Sequence, residues 1–521
     1  MAGEDRVIVV GGGIGGLVAA ARLAHAGRAV TVLERAAHWG GKLRSQAAGA
    51  AWVDAGPTVF TLKPWFEALF AELGESFDAR VPTRPLPVLA RHVWRGGDTL
   101  DLLADARQTV DAIGAFAGPD EARRYQAFCT RAERIFRALE HTHMRAPRPT
   151  PWSLAWRSWR AQGLPGLAAL AGIAPFATLM DTLAQQFRDP RLRQLFGRYA
   201  TYCGASPFAA PATLMLVAQA ERAGVWRIPG GMQRLAQALA EVAAARGAVL
   251  RTGAHVSELL IEGGRIGGVR LADGECLRAD QVLWNGDAAA LARGLAGESA
   301  RAATPSDAAT APRSLSALTW TALAEAQGLA LAHHTVFFSS DGASEFADIF
   351  GAGRLPRRPT VYLCAPDRDD TAPPPEGLER MFWLVNAPAQ ADGQGLSPQE
   401  IEPCELRSLT HLRRCGLRLR WQPETVLRTT PADFAARFPG TGGALYGRAT
   451  HGWQASFRRP GSASRIPGLW LAGGSVHPGP GLPMAATSGW LAAQAMLRAP
   501  SARVSITLSR PAAMPGGTST R

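Results

Sequence analysis

Three glycines near the start of the chain, followed by one acid, have the spacing that binds a dinucleotide. Gly11, Gly13 and Gly16 form a Gly-x-Gly-x-x-Gly turn between the apolar run at 7–10 and an alanine-rich helical pattern. The first glycine permits a tight turn, the second lets the backbone approach a pyrophosphate, and the third allows close packing of helix and strand. A second apolar run ends at Glu34, whose carboxylate can accept hydrogen bonds from ribose hydroxyls. The spacing predicts a βαβ dinucleotide-binding unit, with an ordinary glycine-rich turn as the alternative.

A second turn of this kind lies near the end of the chain. An apolar run leads to Gly473 and Gly474, and a loop rich in proline and glycine then opens the helical pattern at 486–497. A helix that begins after such a loop presents its positive end to a phosphate or a ring. FAD is long enough to need both ends of the domain, whereas a nicotinamide domain does not need its last strand to close over the same cofactor. The two turns together therefore favour FAD.

The composition predicts a globular protein of two or three domains and argues against some classes of partner. The chain has 521 residues, of which 47% are hydrophobic, and a formal net charge of +13. All basic residues except Lys42 and Lys63 are arginine. This is typical of biased codon usage rather than of a binding patch, so we expect no nucleic acid partner. The first strand begins by Arg6, which leaves no room for a signal peptide, and we expect the protein to stay in the compartment where it is made.

Neither a metal site nor disulfide bonds are expected from the cysteines and histidines. The six cysteines are scattered, with no Cys-x-x-Cys pair and no paired histidine spacing. His333, His334 and the acids at 367–370 also lack metal-ligand spacing. We expect these histidines and acids to lie on the solvated surface.

The elements that must position the two turns follow from the hydrophobic periodicity. Apolar residues recur at threes and fours in 107–116 and 121–139, which indicates helices. The runs at 248–256 and 264–271 predict a hairpin-rich layer, and 279–287 predicts a strand that returns to the main sheet.

These patterns predict an α/β fold built around a Rossmann-like FAD-binding domain, with a mixed-sheet substrate domain and a helical, membrane-contacting insertion. The FAD-binding domain is discontinuous. The predicted boundaries are 1–64, 225–297 and 461–498 for the FAD-binding domain, 65–224 for the helical region, 298–460 for the mixed sheet and 499–521 for a disordered tail.

The stretch at 144–180 differs from the rest of the chain. Trp152, Trp156 and Trp159 are interleaved with arginines, and 161–180 contains no charged residue, which is long enough to span a bilayer if helical. Glycines and prolines inside it argue against a span. Tryptophan and arginine beside an apolar stretch are typical of a segment in the interfacial layer of a membrane. We therefore expect 144–180 to contact a membrane surface, with a buried helical hairpin as the alternative.

Three shorter motifs follow the dinucleotide unit. They are Gly40-Gly41-Lys42, Asp54-Ala55-Gly56-Pro57-Thr58 and Pro229-Gly230-Gly231-Met232. Up to about residue 498 the chain resembles the bacterial carotenoid desaturases of the phytoene-desaturase type, which are two-dinucleotide-binding flavoproteins. The late motif at 472–485 is more similar to that of the 1-hydroxycarotenoid 3,4-desaturases, the hydroxyneurosporene or methoxyneurosporene desaturases of phototrophic bacteria. Asp54 as a simple turn residue before a Gly-Pro breaker is the alternative interpretation of the second motif.

The resemblance implies that FAD is the cofactor and that both ends of the chain hold it. Val256 matches a position whose backbone faces the adenine in such flavoproteins. The cofactor-binding residues implied by the motifs are Gly11, Gly13, Ile14, Gly15, Gly16, Glu34, Arg35, Gly41, Lys42, Leu43, Pro57, Thr58, Val256, Asn285, Gly473, Gly474, Pro483 and Met484.

The resemblance also implies the reaction, a desaturation at C-3,4 of a 1-hydroxy acyclic carotenoid such as 1-hydroxyneurosporene. A polyene has no carbonyl to acidify a proton, so an allylic hydride would leave first, to the flavin, and a proton would follow to a weak base or water. This chemistry needs positioning and exclusion of solvent more than an acid–base pair. His477 is the candidate catalytic group near the flavin, with a structural role in its His-Pro-Gly turn as the alternative.

The expected partners are a hydrophobic acyclic carotenoid and an electron acceptor such as oxygen or a quinone. The expected location is peripheral, on the cytoplasmic side of a bacterial membrane. Phytoene desaturase and carotenoid isomerase are alternative members of the same family. A flavin amine oxidase is a further alternative, although many of these carry a covalent flavin on a late cysteine and no cysteine follows Cys415. A non-catalytic lipid-binding flavoprotein is disfavoured by the intact motifs at both ends.

Overall fold

The computed structural model describes residues 6–173, 176–369, 375–393 and 395–499. The tail predicted from residue 499 on lies, from residue 500, outside the described residues. The β-strands are β1 Arg6–Val10, β2 Ala29–Leu33, β3 Ser45–Ala48, β4 Ala51–Asp54, β5 Phe60–Thr61, β6 Arg84–Pro85, β7 Val88–Val93, β8 Thr99–Leu103, β9 Val225–Arg227, β10 Val249–Arg251, β11 Val256–Glu262, β12 Arg265–Leu271, β13 Cys276–Arg278, β14 Gln281–Trp284, β15 Ser316–Gly328, β16 His334–Phe337, β17 Val361–Cys364, β18 Glu379–Ala387, β19 Leu417–Arg420, β20 Val426–Thr429 and β21 Leu469–Leu471.

The α-helices alternate with these strands and are concentrated between β8 and β9. They are α1 Ile14–His25, α2 Lys63–Glu72, α3 Phe77–Arg80, α4 Ala106–Ala117, α5 Pro119–Leu139, α6 Pro151–Gln162, α7 Leu164–Gly172, α8 Leu179–Gln186, α9 Pro190–Gly197, α10 Leu216–Arg222, α11 Gln233–Ala245, α12 Ala288–Ala292, α13 Gly342–Phe346, α14 Pro398–Arg414, α15 Pro431–Arg437, α16 Ala455–Arg458 and α17 Leu482–Arg498.

A parallel sheet of five strands, in the order β10-β2-β1-β14-β21, carries both glycine-rich turns. Its strands come from the three separate segments that the sequence assigns to the FAD-binding domain. Val9 and Val32 on one face pack against α1, α11 and α17, whereas Ile8 and Val282 on the other face pack against the layer of β11, β12 and β13. Both faces are covered, which explains why Val7 to Val10 of β1 form an unbroken apolar run. The predicted α/β fold is confirmed, and the division into domains stays a prediction.

The second large sheet has eight strands, in the order β19-β15-β18-β17-β16-β7-β8 with β20 also paired to β15. It is mixed, because β16 and β7 are parallel and their other neighbours are antiparallel. One face packs as an apolar core in which the rings of Trp320 and Trp383 stack with centroids 5.8 Å apart. The hairpin of β7 and β8 lies within 65–224, so part of the region that the sequence assigns to helices supplies two strands to this sheet.

The helices between β8 and β9 pack around a cluster of aromatic rings. Phe196 lies at its centre, with ring centroids 4.6 Å from Phe128 and 5.0 Å from Phe187. The predicted helices at 107–116 and 121–139 are confirmed as α4 and α5. None of the described helices combines the length and the apolar character needed to cross a bilayer.

The hairpin predicted from 248–256 and 264–271 is wrong in its first strand. Its first residues form β10, which pairs with β2 in the parallel sheet, and only Val256 begins the strand that pairs with β12. The break falls at Gly253, whose φ of +67° is a left-handed conformation that few other residues adopt. The turn at 272–275 joins β12 to β13.

Candidate functional site

The first βα turn forms a cradle for an anion at the carboxyl end of β1. A Cβ on Gly16 would lie 2.2 Å from the carbonyl oxygen of Gly11, and Gly11 itself has a φ of +101°. Helix α1 begins after Gly13 with no side chain capping it. Its first-turn N–H groups, on Ile14, Gly15 and Gly16, therefore have no intrahelical partner and suit a pyrophosphate.

Glu34 is held at the end of β2, beside this cradle. Its Oε2 accepts a hydrogen bond from the N–H of Gly12 at 2.7 Å, and its Oε1 accepts one from Ala36 at 2.8 Å. A carboxylate has further lone pairs, so it can still accept hydrogen bonds from ribose hydroxyls. The neighbouring Arg35 donates to the carbonyl oxygen of Ala436, on α15.

Asn285 follows β14 and ties the middle of the sheet to the first turn. Its Nδ2 donates to the carbonyl oxygen of Gly11 at 3.0 Å. Its Oδ1 is buried without a hydrogen-bond partner among the described residues, which leaves an acceptor available to a ligand.

The loop at 40–43 passes directly over the cradle. Gly40 donates to the carbonyl oxygen of Gly12 at 2.8 Å, and a Cβ on Gly41 would lie 3.2 Å from the Cα of Gly13. Lys42 is held by the carbonyl oxygen of Leu445, 2.6 Å from its Nζ. Burial lowers the pKa of Lys42, and Asp287 acts against this shift.

Arg44 is a candidate cofactor residue that the sequence interpretation missed. All three guanidinium nitrogens are buried with no hydrogen-bond partner in the described part of the chain. Burial, and after it the proximity of Arg437, lowers the pKa of Arg44 to about 10. A cation with three unused donors fits an anionic ligand. The only sequence signal was its position two residues after Lys42.

The late turn meets the first one from the opposite side. Gly473 donates to Ser488 Oγ at 3.2 Å, and a Cβ on Gly489 would lie only 2.0 Å from the carbonyl oxygen of Gly15. Helix α17, like α1, begins without a side-chain cap, at Leu482 and Pro483. Helices α1 and α17 therefore bring together residues more than 450 positions apart, as a shared cofactor requires.

His477 is buried, and its imidazole is hydrogen-bonded to the backbone. Its Nε2 lies 2.9 Å from the carbonyl oxygen of Ala146 and 3.0 Å from that of His143. Because carbonyl oxygens only accept, Nε2 carries the proton and Nδ1 is the free acceptor. Burial lowers the pKa of His477 to about 4, so the ring is neutral. These bonds fit the structural interpretation, and a part in turnover stays a prediction.

The Asp54–Thr58 motif connects three elements rather than forming a simple turn. Asp54 Oδ2 accepts the N–H of Met232 at 2.7 Å, which joins this motif to the Pro-Gly-Gly-Met segment. Burial raises the pKa of Asp54, and the hydrogen bond from Met232 opposes the shift. Thr58 Oγ1 lies 2.6 Å from Tyr362 Oη on the eight-stranded sheet. The motif thus links the cofactor side of the molecule to the second sheet.

The expectation that His333 and His334 lie on the solvated surface is wrong. They are 5% and 1% exposed, because β16 lies inside the eight-stranded sheet. Their ring nitrogens and the sulfur of Cys364 lie within 4.8 Å of one another. Of the acids at 367–370, Asp367 pairs with Arg380 and Asp369 with Arg227, whereas 370 lies outside the described residues.

The donors and acceptors around the two turns fit FAD. The uncapped end of α1 suits its pyrophosphate, as does the guanidinium of Arg44, which has no hydrogen-bond partner among the described residues. Glu34 suits its ribose. Most of the predicted positions converge here, at the carboxyl ends of β1, β2 and β14. Val256 is buried at the start of β11, two residues after Ala254, whose N–H donates to the backbone carbonyl oxygen of Glu34. Pro57 is exposed.

Comparison with known proteins agrees with this geometry. The family described as flavin containing amine oxidoreductase matches residues 14–497. A hydroxyneurosporene desaturase of Rubrivivax gelatinosus is 51% identical over 519 residues, covering 99% of this chain and 97% of that protein. A hydroxyneurosporene desaturase of Cereibacter sphaeroides is 44% identical over 492 residues, covering 94% and 97%.

Among solved structures, an oxidoreductase from Methanosarcina mazei matches with a TM-score of 0.59 at 17% identity, covering 95% of this chain and 100% of that one. This likeness shows the shared fold. The resemblance inferred from the motifs and the choice of FAD as cofactor are confirmed. The chain belongs to the flavin-containing amine oxidoreductase family, on the branch of the bacterial carotenoid desaturases.

Proposed function

We propose that the protein is an FAD-dependent desaturase of carotenoid biosynthesis that introduces the C-3,4 double bond into 1-hydroxy acyclic carotenoids such as 1-hydroxyneurosporene. The observation that carries this proposal is the alignment of nearly the whole chain with two hydroxyneurosporene desaturases. The aligned region includes both glycine-rich turns and the strands of both large sheets. It favours this reaction over those of amine oxidases and of non-catalytic lipid-binding flavoproteins.

We propose that FAD is bound by groups from both ends of the chain. The N–H groups of Gly13 to Gly16 face the pyrophosphate together with Lys42 and Arg44, and Glu34 binds the ribose. Bound FAD supplies the acceptor for the hydride that leaves the allylic carbon. The remaining proposed cofactor contacts are Gly11, Arg35, Gly41, Leu43, Pro57, Thr58, Val256, Asn285, Gly473, Gly474, Pro483 and Met484.

The chain's own contribution to the reaction is to orient the polyene and to exclude water. Val59 directly follows the Asp54–Thr58 motif, and Met484 belongs to the late motif. Both pack against the apolar core of the helical region together with Tyr202 and Tyr362. An apolar wall next to the cofactor suits a hydrocarbon substrate. A neutral His477, fixed by two carbonyl oxygens, would hold the late turn in place or accept the departing proton at Nδ1.

We further propose that α6 and the residues after it bind a membrane surface. Trp152, Trp156 and Trp159 lie at positions i, i+4 and i+7 of α6 and share one face. All three are exposed, as are Leu164 and Phe176. Exposed tryptophans on one helix face are typical of a monotopic contact with the interfacial layer. The protein would then lie on the cytoplasmic side of a bacterial membrane. Its hydrophobic substrate would be dissolved in the lipid of that membrane.

One experiment tests the reaction directly. The purified holoenzyme, mixed without oxygen with 1-hydroxyneurosporene in vesicles, should lose its flavin absorbance while the carotenoid spectrum shifts to longer wavelength. Admitting air, or a quinone in the vesicles, should restore the flavin and identify the electron acceptor. A flavin that stays oxidised would support the lipid-binding alternative instead. Bleaching by phytoene in place of the hydroxylated substrate would favour a phytoene desaturase.

A further inference from the structure

Four buried or partly buried polar side chains face the space between the eight-stranded sheet and the helical region. His92, His334 and Tyr362 project from one face of the sheet. Val336 of β16 lies opposite His92 on β7 and opposite Tyr362 on β17, so these side chains share a face. His334 lies two residues before Val336 on the same strand and therefore points to that face as well. Arg198 enters from the helical side, at the start of the 3₁₀ helix Arg198–Cys203. We call these four residues the buried polar cluster.

The guanidinium of Arg198 is held in place with two nitrogens to spare. Its Nη1 donates to Tyr202 Oη at 3.3 Å, and that hydroxyl donates to Glu221 Oε2 at 3.0 Å. Nε and Nη2 are buried with no hydrogen-bond partner among the described residues. Buried charged donors without an acceptor cost free energy, so they point to a ligand that supplies one.

The histidines of the cluster also have nitrogens to spare. His92 is fully buried, and its Nδ1 lies 3.2 Å from the carbonyl oxygen of Leu100, so Nδ1 donates. Burial lowers the pKa of His92 well below its usual range, and the ring is neutral. Its Nε2 is therefore a lone-pair acceptor, and it has no described partner. His334 Nδ1 is bonded to Tyr362 Oη at 2.8 Å, and its Nε2 is likewise unpartnered.

The spare nitrogens of Arg198, His92 and His334 suit a neutral polar ligand better than a metal ion. His334 does belong to a group with His333 and Cys364 whose ligand atoms lie within 4.8 Å. Arg198, however, is close enough to contribute to the low pKa of both His92 and His334. A guanidinium beside the site repels a cation, whereas donors and acceptors side by side match a hydroxyl group, which both accepts and donates.

The position of the cluster suits the proposed chemistry. Tyr362 is hydrogen-bonded through its Oη both to His334 and to Thr58, which belongs to the cofactor-side motif. In a 1-hydroxy carotenoid the hydroxyl carbon is two bonds from C-3, one of the carbons that the reaction joins by a double bond. A group that holds this hydroxyl must therefore lie beside the flavin. The rest of the polyene is apolar and offers no other handle to set its register.

We propose that the buried polar cluster binds the terminal hydroxyl of the substrate, which accepts from Arg198 and donates to His92 Nε2, and so selects hydroxylated carotenoids and sets the site of desaturation. The inference rests on the proposed function and names the residues that determine its specificity. A buried site built to bond a hydroxyl rejects the analogue that lacks it, because its own polar groups are then left unpaired.

The test compares two substrates with three variants of the holoenzyme. The substrates are 1-hydroxyneurosporene and 1,2-dihydroneurosporene, the same hydrocarbon without the hydroxyl. His92→Phe removes the acceptor and keeps a ring that stacks on Phe338, and Arg198→Met removes the donors. The control is His411→Phe, since His411 contacts the same strand at Phe337 from α14, which covers the other face of the sheet. FAD content and thermal midpoint are measured for each.

We expect His92→Phe and Arg198→Met to lower kcat/KM for the hydroxylated substrate at least about tenfold. For the hydrocarbon we expect an unchanged or raised kcat/KM, because the variant no longer leaves that polar group unpaired. His411→Phe should change neither. Should Arg198→Met not fold, His92→Phe alone decides. Equal losses on both substrates, or no loss on the hydroxylated one, would overturn the assignment of the cluster. A wild-type enzyme that oxidises neither substrate would instead refute the proposed function, and the inference with it.

Discussion

Removing the exposed tryptophans of α6 should release the protein from membranes. Trp152, Trp156 and Trp159 are 86%, 53% and 53% exposed, whereas Leu154 and Ser158 on the opposite face of the helix are buried. Helix α6 is thus attached to the protein through one face and presents three indole rings on the other. The guanidinium of Arg160 lies 5.2 Å from the ring of Trp156, where it would meet anionic headgroups.

The size of the effect follows from the area exposed. The exposed surface of the three tryptophans together equals that of about two fully exposed tryptophan side chains, or roughly 400 Å². Burying half of this area at about 25 cal/mol per Å² contributes about 5 kcal/mol to membrane binding. Each 1.4 kcal/mol is a factor of ten in affinity. Replacing all three tryptophans with alanine should therefore weaken binding to vesicles at least about a hundredfold.

The assay is flotation of the holoenzyme with vesicles that contain anionic phospholipid. Trp52→Ala is the matched control, because Trp52 is 57% exposed but lies on β4, far along the chain from α6. We expect the wild type and Trp52→Ala to float and the triple variant to stay at the bottom of the gradient, with its FAD bound. The membrane contact of α6 is refuted if the triple variant floats like the wild type, or if Trp52→Ala is released to the same extent.

The remaining predictions concern the cofactor turn and His477. Gly16→Ala places a Cβ 2.2 Å from the carbonyl oxygen of Gly11, so FAD content after purification should fall at least about tenfold, whereas Gly114→Ala, with 3.6 Å to its nearest neighbour, should keep it. His477→Ala should cut turnover at least about tenfold with FAD still bound, and unchanged turnover would remove His477 from the mechanism. The pKa of His477 falls from 6.5 to about 4 on folding, so the unfolded chain binds the proton first as pH falls. The free energy of unfolding, and with it Tm, should therefore fall between about pH 6.5 and 4. His477→Gln should reduce this fall in the free energy of unfolding by up to about 3 kcal/mol. Equal dependence of Tm on pH in the wild type and in His477→Gln would contradict this.

The cofactor side of the molecule is predictable because its signals are local in the sequence. Gly11 and Gly16 meet each other within one turn, and their need for a missing Cβ is visible from residue type alone. The end of β2 is likewise given by an apolar run followed by Glu34. Arg44 escaped prediction because its distinguishing feature is that it has no hydrogen-bond partner in the described ranges, which only the folded chain can show.

The substrate side is not predictable in this way. His333 and His334 follow a short apolar stretch whose pattern is compatible with either a buried strand or an exposed loop. They are buried because β16 pairs with β7 and β17. The pairing of β16 with β7 joins segments more than 240 residues apart. The failure of the 248–256 hairpin has the same cause, because a parallel partner such as β2 leaves no turn signal between the strands.

The difference between the two sides explains how one fold can take on a new substrate. Changing a glycine at the cofactor turn moves backbone, since Gly16 already touches the carbonyl of Gly11. Changing His92 or Tyr362 alters one face of a sheet whose other face is held by the stacked rings of Trp320 and Trp383. Because side chains alternate along a strand, polar groups on the substrate face can be exchanged without disturbing that core. A hydroxyl-binding cluster on this face is therefore the kind of feature that separates related flavoproteins acting on different molecules.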